Sequence, residues 1–168
     1  ICKDVGITKP SVYYYFKSKE DIFLAVLNDL YPLVGFTREV RFEQLNDAKV
    51  YRKKLMDLGL SLIDSYRDDK ERRMVLAELS IQSESIPSVW NYKARLDQAN
   101  IEAWEVILKR GIEIRALDPQ LDIKLRSQTL FVITAGISSS IAYRDEVDAK
   151  AIWIDAIDHL FFSDALER

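Results

Sequence analysis

Residues 5–27, VGITKPSVYYYFKSKEDIFLAVL, decide how the chain is read. Gly6 interrupts the start of this stretch, and Thr8 stands directly before Lys9-Pro10. Threonine is a favourable N-cap, because its hydroxyl accepts a bond from a free N–H of the first helical turn. Proline is tolerated in that turn, where its missing N–H would be unpaired in any case. The pattern predicts a short helix over residues 9–16. Ser18-Lys19-Glu20-Asp21 then resembles a capping box with Asp in place of Glu or Gln. Behind it Ile22, Phe23, Val26, Leu27 and Leu30 recur at helical spacing, which predicts a helix ending near Pro32 or Gly35. With residues 1–5 read as the end of a preceding helix, two helices meet across a tight glycine turn, which is a helix-turn-helix pattern.

The short helix has an informative surface. Val12 and Phe16 lie four apart and are expected to point inward, as are Val5 and Ile7. Lys9, Ser11, Tyr13, Tyr14 and Tyr15 cover the rest. Tyrosine hydroxyls can bond phosphates, and their rings can touch sugars and thymine methyls. Lys9 at the helix start can reach base acceptors or phosphate. The first turn of the next helix, around Lys19, can attract a further anion. A competing reading packs the tyrosines between helices. Charge is consistent with the first reading: residues 1–19 carry four lysines against one aspartate, a net +3, in a chain whose total is −3. A basic tip on an acidic body suits a nucleic-acid binder, although a solvated lysine face looks the same.

The same residues resemble the DNA-binding signature of the TetR family of bacterial transcriptional regulators. The likeness rests on the Gly6 turn, Lys9-Pro10, the Tyr-Tyr-x-Phe of residues 13–16, and Lys17-x-Lys19-Glu20. It covers about 30 residues, and the remainder matches only as a long helical body. The resemblance implies an all-α homodimer that binds a palindromic double-stranded DNA operator, usually as a repressor released by a small-molecule effector. It implies that Lys9, Ser11 and Tyr14 face bases and that Tyr13, Tyr15 and Lys19 meet phosphate. Where many relatives have His in the aromatic stretch, this chain has Tyr15. Relatives also have a full first helix and a longer second one, whereas this sequence starts at Ile1, inside the second. The expectation is therefore a truncated helix-turn-helix DNA-binding domain over residues 1–35, preceded in the intact protein by about 20–30 residues. An effector-binding and dimerisation domain is expected over residues 36–168.

Composition frames the body. Five Gly and four Pro in 168 residues leave little material for turns, so long helices are expected and no strand pattern is visible. The predicted helices cover residues 48–66, 70–82, 87–114, 120–143 and 148–166. Leu55, Leu58, Leu62 and Ile63 are expected inward. The long third helix carries Trp90, Ile101, Trp104, Ile107 and Leu108, a turn follows at Asp118-Pro119, and Arg144, Asp145 and Glu146 form a charged turn. One Cys excludes an intramolecular disulfide, and one His excludes the usual histidine clusters of metalloenzymes. No apolar run reaches the ~18 residues of a membrane span. The expectation is a cytoplasmic protein with no membrane partner, no cofactor, no metal and no catalytic residues. It is not read as an enzyme: there is no G-x-S-x-G, phosphate loop or dinucleotide fingerprint.

The last helix is apolar over a broad stripe containing Ile152, Trp153, Ile157, Leu160 and Phe161. The preceding one is apolar almost all round from 129 to 137, and Gly136 permits close approach. Such breadth exceeds one core face. Together with Phe131, Ile137 and Ile141, these residues are read as a two-fold, four-helix dimer interface, with an intramolecular core as the alternative. Tyr66, Met74, Glu78, Gln82, Trp90, Arg95, Trp104, Gln128 and Phe131 are candidate effector contacts, suiting an apolar or aromatic ligand; ordinary core packing is the alternative. A ligand would act by shifting the spacing of two recognition helices away from the ~34 Å of successive major grooves. A rival function is a DNA-binding or protein-interaction protein of the same fold with no effector.

Overall fold

Gly6 has φ +69°, a left-handed conformation that glycine adopts at little cost, and it turns the chain into the first helix. The computed structural model describes residues 6, 8–30, 41–143 and 146–162. The chain divides into two units, Ile1–Pro32 and Leu33–Arg168.

In the first unit, α1 (Lys9–Tyr15) starts behind Thr8, whose hydroxyl accepts from the Ser11 N–H at 3.4 Å. It ends one residue before the predicted limit. Phe16 is extended and returns its N–H to the Val12 carbonyl at 2.9 Å. α2 (Lys19–Leu30) is capped by Ser18, whose Oγ accepts from the Asp21 N–H at 3.0 Å. The reciprocal bond is displaced from the capping-box pattern. Asp21 Oδ2 accepts from the N–H of Lys17, at 2.9 Å, because the break at Phe16 brings that N–H within reach. The predicted end of α2 near Pro32 or Gly35 lies outside the described residues, as do Val5 and Ile7.

The second unit holds five long helices: α3 (Ala48–Asp68), α4 (Lys70–Ser83), α5 (Pro87–Glu113), α6 (Ile123–Tyr143) and α7 (Ala149–Phe162). A single 3-10 turn, Phe42–Gln44, precedes them. Aspartates start three of the five: Asp47, Asp122 and Asp148 accept from N–H groups three residues on, at 2.9–3.0 Å. This explains why α6 begins at Ile123 and not at residue 120. Asp118 already binds the N–H of Gln120 at 2.7 Å and that of Leu121 at 3.1 Å, closing a turn before the cap. There is no strand among the described residues. Residues 144–145 and 163–166, where a turn and the end of the last helix were predicted, lie outside them.

α5 packs on α6, α3 on α7, and α4 against α5 and α6. The core is built from Leu55, Leu58 and Ile63 of α3, Trp104, Ile107 and Leu108 of α5, Leu130 and Ile137 of α6, and Trp153, Ile157 and Leu160 of α7. Leu62 is only half-buried. Tyr51 is fully buried, and its hydroxyl donates to the Ile107 carbonyl at 2.8 Å. Phe42, which carried no sequence signal, packs edge-on against Tyr51 with centroids 5.7 Å apart. α7 is pinned to α3 at three levels. Arg52 bridges Asp158 at 2.8 Å, Trp153 Nε1 donates to the Met56 carbonyl at 3.0 Å, and Lys150 bridges Asp64 at 2.7 Å.

Candidate nucleic-acid interface

Three consecutive residues of a helix span roughly 200° of its circumference, so no single packing surface can cover all three. In α1 the outcome is clear: Tyr13, Tyr14 and Tyr15 are 61%, 83% and 78% exposed. Val12 and Phe16 are half-buried, on the inward side where their four-residue spacing put them. The competing reading, with the tyrosines packed between helices, is therefore overturned within this chain. The Tyr14 and Tyr15 rings meet edge to face, with centroids 5.1 Å apart and planes at 85°.

The other predicted contacts are placed less uniformly. Ser11 is exposed, and its hydroxyl lies 2.8 Å from that of Thr8. Lys9 occupies the first position of α1. Lys19 is exposed at the first position of α2. The helix terminus beneath Lys19 is already supplied with anions, since Glu20 and Asp21 lie in its first turn and Ser18 takes the Asp21 N–H. The lysine side chain, and not the helix end, is the group available to a phosphate there.

The candidate effector residues do not share one environment. Trp104 is buried against Trp153, with ring centroids 5.9 Å apart, and belongs to the core; its assignment as a ligand contact is corrected. Met74, Glu78, Trp90, Arg95 and Gln128 are exposed, while Tyr66, Gln82 and Phe131 are half-buried. Gln82 donates to Glu78 at 2.5 Å, as neighbours one turn apart on α4. Arg95 lies where its charge favours ionised Tyr92, yet burial dominates and raises the Tyr92 pKa.

The predicted dimer face also needs correction. Ile137, Trp153, Ile157 and Leu160 are buried in the chain's own core, so they are not available to a second subunit. Phe131, Ile141 and Phe161 pack partly against that core, and of the eight only Ile152 is exposed. The deeper half of the α7 stripe, Trp153, Ile157 and Leu160, faces inward, and Ile152 and Ile154 remain exposed. The apolar residues left outside are others: Leu125, Val132 and Tyr143 on α6 and Ile154 on α7. A side chain at Gly136 would meet nothing within 4 Å. Positions 125, 132, 136 and 143 lie on one helical stripe, which the sequence does not single out because α6 is apolar on nearly every side.

Among the described residues no group of three His, Cys, Asp or Glu side chains is placed to hold a metal ion, and no helix is long and apolar enough to cross a membrane. Residues 1–26 match the family model described as "Bacterial regulatory proteins, tetR family". No curated protein and no solved structure matches the chain. The matched segment contains the Gly6 turn, all of α1 with its exposed tyrosines, and the capped start of α2. Over this segment, 26 of the 168 residues, the chain is similar to bacterial regulatory proteins of the tetR family.

Proposed function

We propose that the protein is a dimeric repressor that binds an inverted-repeat operator and leaves it when a small apolar or aromatic effector binds the second unit. The observation that carries the DNA half is the exposed, uncapped-by-packing tyrosine face of α1 within a segment of regulatory type. Lys9, Ser11 and Tyr14 are assigned to bases. Tyr13, Tyr15 and Lys19 are assigned to the phosphate backbone, which positions the protein without reading sequence. Residues 1–35 would form the DNA-binding part and residues 36–168 the effector-binding and dimerisation part.

The dimer half rests on the exposed stripe of α6 and α7. Leu125, Val132 and Ile152 leave apolar surface in water, and the open space above Gly136 admits a second helix closely. A two-fold axis through this face would pair α6 and α7 with their copies as a four-helix interface. The effector half rests on the half-buried Tyr66, Gln82 and Phe131, which combine apolar surface with a few polar groups.

The test uses the full-length protein and sheared genomic DNA. Fragments that bind are recovered and sequenced, and an enriched inverted repeat is the expected result. Binding without any enriched repeat would replace the site-specific reading with an architectural or protein-interaction role. Release of the recovered fragment by apolar or aromatic compounds then tests the effector; a bound state that no compound disturbs would favour a regulator without one.

A further inference from the structure

We propose that Tyr14 reads the C5-methyl group of thymine in the major groove, with Tyr15 as a positioning residue, so that thymine methyls carry much of this helix's sequence preference. The inference rests on the DNA-binding reading above and names what that surface recognises.

The helix is KPSVYYY, with no Arg, Asn, Gln, Asp or Glu. Those residue types supply much of direct readout: Arg or Lys pairs with guanine, Asn or Gln with adenine, and Asp or Glu accepts from cytosine. Only Lys9, at the first position, offers one of these chemistries here. The hydroxyl of Ser11 is already within bonding distance of Thr8, at 2.8 Å. What α1 presents along its exposed surface is therefore ring. Among the edges displayed in the major groove, the thymine methyl is the apolar group.

Tyr14 is the most exposed of the three tyrosines, and it lies one turn beyond Ser11 on the same side of the helix. The edge-to-face contact with Tyr15 limits where its ring can swing and fixes it before DNA arrives. Two touching rings that each remain about four-fifths exposed form an apolar patch awaiting a partner. The family match over residues 1–26 selects DNA as that partner over a protein surface.

The experiment takes the full-length protein and a duplex site recovered from a randomised pool. Each thymine is replaced in turn by uracil, which removes the methyl and keeps the pairing. At one thymine per half-site, uracil is expected to weaken binding roughly four-fold, the effect of one buried methyl group. At the same position 5-methylcytosine should bind more tightly than cytosine. Tyr14→Ala should erase the difference between thymine and uracil, and Tyr15→Ala should shrink it. Tyr14→Phe should keep it, because the ring and not the hydroxyl makes the contact. Unchanged affinity with uracil at every position overturns the proposal, as does a methyl effect that persists in Tyr14→Ala. A protein that recovers no duplex site at all overturns the regulator reading itself. In that case capture of an apolar protein surface by the same rings becomes the account of the patch.

Discussion

The indole of Trp153 occupies the space that any side chain at Gly59 would need. A Cβ built on Gly59 falls inside the van der Waals envelope of Cε2, Nε1 and Cδ2 of that ring. The same indole donates to the Met56 carbonyl one turn earlier on α3, so the ring is held both by what it bonds and by what is missing beneath it.

Two opposing magnitudes decide the effect of Gly59→Ala. Alanine favours a helix over glycine by about 1 kcal/mol. Overpacking a fixed ring costs about 1–3 kcal/mol and sometimes more. The indole cannot retreat without losing its bond and its contact with Trp104, so net destabilisation is expected. Urea midpoints measure it, and a stabilised Gly59→Ala protein would refute the close approach. Combining Gly59→Ala with Trp153→Phe should recover part of the loss, since the two positions share one volume.

Tyr51→Phe removes the buried bond to Ile107 and is expected to cost about 1 kcal/mol at neutral pH. Burial raises the pKa of Tyr51 above its ordinary value of 10.0. The fold thus favours the neutral phenol. The stability linked to this group is full below pH 10.0 and is lost as pH rises above it toward the higher folded value. Denaturation at pH 7 and about pH 11 should show a smaller alkaline loss in Tyr51→Phe than in the parent protein. Equal losses would mean that Tyr51 does not govern the alkaline limb.

Arg115 has φ 58°, where a side chain crowds the backbone. It follows α5, and the chain then doubles back so that the Gly111 carbonyl accepts from Ala116 at 2.8 Å and Leu117 at 3.1 Å. Glycine suits such a helix end. Arg115→Gly should therefore stabilise the protein by about 0.5–1 kcal/mol, visible as a higher Tm. A lower Tm would show that the arginine makes a compensating contact.

If Lys19 meets a phosphate, Lys19→Gln should weaken DNA binding across all sequences alike. The slope of log affinity against log salt should fall by about 1 per subunit. An unchanged slope would remove Lys19 from the interface. Tyr13→Phe should weaken binding at matched salt by loss of one phosphate hydrogen bond, with the slope unaltered.

Val132→Glu places a charge on the exposed stripe of α6 without touching the core. Sedimentation should show a monomer with helix content preserved. A persistent dimer would move the subunit contact to another surface.

Local sequence settles the features that depend on groups within about four residues of one another. Thr8, Pro10 and Ser18 set the starts of α1 and α2, Gly6 set the turn, and the consecutive run Tyr13–Tyr14–Tyr15 had to leave rings in water because helical geometry spreads them too widely to bury. The position of the body helices was legible from the same local logic. What lay beyond it was the choice among several apolar faces. α6 and α7 each offer more apolar surface than one neighbour can cover, so periodicity could not say which side of Trp153 or Ile137 faces the core. Only the packing of α7 onto Gly59 and Met56 of α3 made that choice. It buried Trp153, Ile157 and Leu160 within the chain and left Val132 and Ile152 outside, because a ring fits closely where a glycine leaves room and contacts between distant segments carry no local signature.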